Sequence, residues 1–145
     1  MSTKEIQEKL IANMRRWQKI EDAATSSTGQ MIEKTDNPVL KLVMEIIQRD
    51  SQIHRRVQGL VADSLEKSAI TMTPEDMAGI WDLVEKHIEI EKQTVELARS
   101  SLSALKGRKM LIQEYLLNYL MEDEHKHEQL LERLNAIKRG MYPYG

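Results

Sequence analysis

At 145 residues the chain has the length of one ordinary domain, enough to bury a core. Its 21 Lys and Arg nearly balance 23 Asp and Glu, a formal charge of -2, so there is neither a broad basic surface for nucleic acid nor an acidic tail. The absence of cysteine excludes a disulfide framework, a thiolate metal site and a thiol nucleophile, and any metal must be held by oxygen and imidazole.

Only 6 Gly, 3 Pro and 4% aromatic residues stand among helix formers throughout, which predicts an all-α chain. Met1-Ser2-Thr3-Lys4-Glu5 leads into a charged amphipathic stretch without an apolar signal core. No run approaches the roughly 18 apolar residues of a membrane span, so a soluble, cytoplasmic protein is expected.

The first helix is predicted from Thr3 to about Lys34, with Ile6, Leu10, Met14, Trp17, Ala24 and Met31 on one stripe. Thr35-Asp36-Asn37-Pro38 breaks it, because Asn caps a helix start and Pro suits the first helical position. The second helix runs to about Lys67 with Val39, Leu42, Val43, Ile46, Ile47, His54, Val57, Val61 and Leu65 inward. Thr73-Pro74-Glu75-Asp76 is another start signal, and the third helix carries Met77, Ile80, Trp81, Val84, Ile88, Val95, Ala98, Leu102 and Leu105 before Gly107. The fourth spans about Arg108 to Lys138, and residues 141–145 form a short tail. Helices of about 30 residues, each roughly 45 Å long at 1.5 Å per residue, joined by short turns, pack as antiparallel neighbours. One domain over residues 1–140, an up-down four-helix bundle, is the expected architecture, with a crossover at residues 68–73 as the alternative.

Polar groups interrupt these stripes near their middles, where burial without a partner is costly. Ser51 and His54 lie on the inner face of the second helix. Glu124 and His127 share the inner face of the fourth with Leu117, Leu120, Leu131 and Leu134, and a Glu-x-x-His spacing puts carboxylate and imidazole on adjacent turns where both reach one ion. His125 projects to the outer surface. Glu91 continues the third stripe with His87 one turn earlier, and Glu21 continues the first. The halves of the chain repeat: Ile20-Glu21 aligns with Ile90-Glu91, and the stretch from Asp50 to His54 aligns with that from Asp123 to His127.

A Glu on one helix and a carboxylate-x-x-His on the next, given twice, resembles the ferritin-like superfamily, most closely its rubrerythrin-type bundles, over essentially the whole chain. The resemblance implies a carboxylate-bridged site for iron, with manganese or zinc as alternatives, one or two ions per chain. Its ligands would be Glu21, His54, Glu91, Glu124 and His127. Ser51 stands where that family has a Glu, so either Asp50 reaches in, His87 supplies a ligand, or the site holds a single ion. Reduction of peroxide or handling of dioxygen, an electron-donating redox partner and a homodimer are the expected activity and partners. The cysteine-rich iron domain of rubrerythrins is absent. The competing expectation is a non-catalytic helical interaction bundle whose buried polar groups only fix register. Trp17 and Trp81 are expected to pack rather than bind a cofactor, and the nine Met to fill gaps in a core without Phe.

Overall fold

The computed structural model describes residues 1–141; the expected tail, from residue 142 on, lies outside them. The chain is all-α, with four helices and no strand among the described residues. It divides into two compact units, one covering Met1–Thr71 and one beginning at Met72, each built from two helices.

In the first unit, α1 (Thr3–Lys34) starts in a capping box: Ser2 Oγ accepts from the Glu5 amide at 3.1 Å, and the Ser2 amide donates to the Glu5 carboxylate at 2.8 Å. Residues 35–37 end it, and α2 (Pro38–Glu66) begins under Asn37, whose Oδ1 accepts from the amides of Val39 and Leu40. The pairing across the two is antiparallel. Arg15 meets Asp63 and Glu66, Asp22 meets Arg55, and Thr25 O accepts from Gln48 Nε2. These contacts set register more than stability, since exposed ion pairs contribute about 0–1 kcal/mol. Gln18 Nε2 reaches across to the Arg55 carbonyl at 3.1 Å, and a Cβ at Gly59 would come within 2.9 Å of the same nitrogen, so the glycine gives the crossing amide its room. The buried layer is polar apart from Ala62: Glu21, Thr28, Ser51 and Gln58. Ile6, Leu10, Trp17, Ile53 and Leu60 remain exposed.

The second unit opens with α3 (Pro74–Ala104). Thr73 Oγ1 accepts from the Asp76 amide and the Asp76 carboxylate accepts from the Thr73 amide, which completes a capping box with Pro74 at the first position. The two start signals read from the sequence therefore act as caps. A turn at 105–108 follows, with Gly107 at φ 78, the left-handed region that favours glycine. Because the turn keeps its own hydrogen bonds, α4 starts at Leu111, three residues beyond the expected Arg108, and runs to Met141. It too is antiparallel to its partner: Trp81 lies under Lys138 Nζ at 4.7 Å, and Thr94 bonds Glu124. The buried stripe of α3 is Met77, Trp81, Glu91, Val95 and Ala98. A carboxylate therefore occupies the middle of an otherwise apolar line, which is unfavourable unless something compensates its charge. Among the described residues no helix is long and apolar enough to cross a membrane.

Candidate metal centre

Glu91 is 6% exposed and stands on α3 facing the turn of α4 that carries Glu124 and His127. Ligand atoms of these three side chains all lie within 4.8 Å of one another. His127 Nδ1 is 3.4 Å from Glu91 Oε1 and 3.6 Å from Glu124 Oε2, so two carboxylates and one imidazole nitrogen converge. The three-residue spacing of Glu124 and His127 puts them on one face of α4, and the antiparallel register brings Glu91 opposite them.

Each ligand atom is held from behind. Thr94 Oγ1, one turn after Glu91, donates to Glu124 Oε2 at 2.9 Å. His87 Nε2 lies 2.8 Å from Glu91 Oε1 on the same helix. His127 Nε2 lies 3.3 Å from Asp123 Oδ2, and Asp123 is itself 2.8 Å from Lys126 Nζ. With a proton on the Nε2 beside Asp123, the Nδ1 lone pair would be directed at the cluster, the tautomer a metal requires. Glu91 Oε2 is buried without a hydrogen-bond donor. Glu124 is pushed above the usual glutamate range by facing Glu91 and by burial, and Glu91 is held below it by the bond from Glu124, with His87 adding to the effect.

Of the six residues singled out in the sequence, Glu91, Glu124 and His127 converge; His87 touches Glu91 from the side and is half exposed. Glu21 and His54 pair with each other in the first unit, with Glu21 Oε2 at 3.2 Å from His54 Nδ1. His125 pairs with Glu128 and takes no part. Asp123 and Thr94, not among the expected ligands, carry their own sequence signal: Asp123 lies four residues before His127 and Thr94 three after Glu91, the two spacings that place a helper on a ligand's own face. Asp123→Asn is expected to weaken metal binding about 10–100-fold, the usual cost of an outer partner of a ligating histidine. Competition against a chromophoric chelator measures this, and an unchanged affinity with intact helical circular dichroism would remove Asp123 from the site.

No protein family, curated protein or solved structure matches the chain.

Proposed function

We propose that this protein binds a divalent transition metal through Glu91, Glu124 and His127, in the manner of the ferritin-like carboxylate and histidine proteins it resembles. The observation that carries the reading is the buried Glu91 carboxylate, with one oxygen lacking any donor, facing a second carboxylate and an imidazole nitrogen. Two carboxylates and one neutral imidazole offer a charge of minus two, which a divalent ion cancels. Oxygen with imidazole suits iron, manganese or zinc, and softer ions that favour thiolate find no sulfur ligand here.

Three protein ligands leave coordination positions for water or a small substrate. Bound there, iron or manganese would supply one-electron chemistry toward peroxide or dioxygen, which is the activity we assign. The chain's own residues have defined places: Thr94 donates to the Glu124 carboxylate, His87 bonds Glu91, and Asp123 stands beside the Nε2 of His127.

Elemental analysis of protein purified without a chelating tag, loaded anaerobically with Fe2+ and desalted, tests the proposal, with His127→Ala in parallel. Near-stoichiometric metal that disappears in the variant supports it. Protein that stays metal-free after loading is a helical bundle with structural polar contacts, and the reading fails.

A further inference from the structure

We infer, resting on the metal reading above, that the chain holds one ion and not two, because the first unit carries the same Glu and His pair as the second but has closed it against metal. The two pairs occupy equivalent places. Glu21 and His54 are 33 residues apart and Glu91 and His127 are 36, and in both the imidazole Nδ1 approaches the carboxylate of the opposite helix, at 3.2 Å and 3.4 Å. The hairpins differ in what surrounds the pair.

Three residues before the histidine, the second unit has Glu124 and the first has Ser51, buried at 5% exposure. A hydroxyl brings no charge, so the first unit offers one carboxylate and one imidazole. That is two ligand groups, one short of the three that ordinarily hold a metal with open positions. Four residues after the histidine, the second unit has Leu131 and the first has Gln58, 4% exposed, whose Nε2 lies 3.4 Å from Glu21 Oε2. The amide donor occupies the oxygen that an ion would take, and its N–H groups would face any cation placed there. Gln58 Oε1 has no partner, so the amide orientation is set by the carboxylate alone. Glu21 thus has two nitrogen partners on one oxygen, from His54 and Gln58. Glu91 Oε1 likewise has two nitrogen neighbours, His87 and His127; what sets this carboxylate apart is its second oxygen, buried and unpartnered, beside the carboxylate of Glu124. The first pair meets an amide nitrogen where the second meets a carboxylate.

Anaerobic titration of the full chain with Co2+, followed by its visible absorption and by elemental analysis after desalting, counts the ions directly. One equivalent is expected, retained in Glu21→Gln and in His54→Ala and lost in Glu124→Gln. The double variant Ser51→Glu, Gln58→Leu, which rebuilds in the first unit what the second has, is expected to raise the count to two. Two equivalents in the natural chain, one of them lost in Glu21→Gln, would overturn the inference and leave the metal reading standing. A double variant with native helical circular dichroism that still takes one equivalent would also overturn it, whereas no binding at all by the natural chain removes the metal reading itself.

Discussion

Glu91→Gln is expected to weaken metal binding by on the order of a hundredfold or more while leaving helical content unchanged. An outer partner of a metal ligand is ordinarily worth about 10–100-fold, and a carboxylate that contacts the ion must count for at least that. The substitution keeps size and leaves an amide oxygen to accept from His87, but it removes the charge that an ion at this position neutralises. It removes a buried carboxylate that faces another but also the charge that His87 and His127 approach, so thermal stability without metal should change little. A large loss of affinity with little change in metal-free stability is a combination that a purely structural Glu91 does not produce. Unchanged affinity would exclude Glu91 as a ligand.

The same pair sets a pH dependence in the metal-free state. Glu124 has a folded pKa above its unfolded value, so its contribution is present at low pH and is lost as pH rises through the raised value. Glu91 has a lowered folded pKa, and its contribution is lost as pH falls through it. Metal-free stability from this pair therefore peaks near the ordinary glutamate range and declines above it. A bound ion, which would favour both carboxylates in their charged form, should flatten the upper limb.

Trp81→Ala is expected to destabilise the second unit by about 3–5 kcal/mol, the usual cost of emptying a buried Trp site. Against a whole-domain stability of about 5–15 kcal/mol this is a large fraction. The ring is 8% exposed on the buried stripe of α3, its Nε1 donates to Glu85 at 3.0 Å, and Lys138 Nζ lies over its face. Truncation opens a cavity, frees the Glu85 bond and removes a cation–π contact worth about 0.5–1 kcal/mol. Trp81→Phe should recover most of the loss. Ten residues, or about 15 Å along the helix, separate Trp81 from Glu91, so metal stoichiometry in the variant should be unchanged below its melting temperature. Chemical denaturation followed by circular dichroism gives the value, and a loss below about 1 kcal/mol would show that the ring contributes little to the pairing of α3 with α4.

Much of the secondary structure was legible because its signals are local. Asn37-Pro38 and Thr73-Pro74-Glu75-Asp76 carry their own cap chemistry, and both helix starts lie where those residues put them. The start of α4 lies beyond its expected position because the turn at 105–108, which contains Gly107, closes its own backbone bonds, and composition does not announce that. Glu91, Glu124 and His127 were legible as polar interruptions of apolar lines.

By itself, then, the sequence determined four helices, the caps of α2 and α3, the Glu-x-x-His face of α4 and the repeated Glu and His pair, since each follows from spacing along one helix or from hydrogen bonds within one turn. Only the tertiary structure decided which of those polar groups meet. It set Glu91 against Glu124 and His127, put His87 to the side of Glu91, turned Asp123 onto His127 and closed Glu21 with Gln58. Those outcomes depend on the register between two helices and on the direction each side chain takes toward its neighbour, and periodicity along a single helix carries neither.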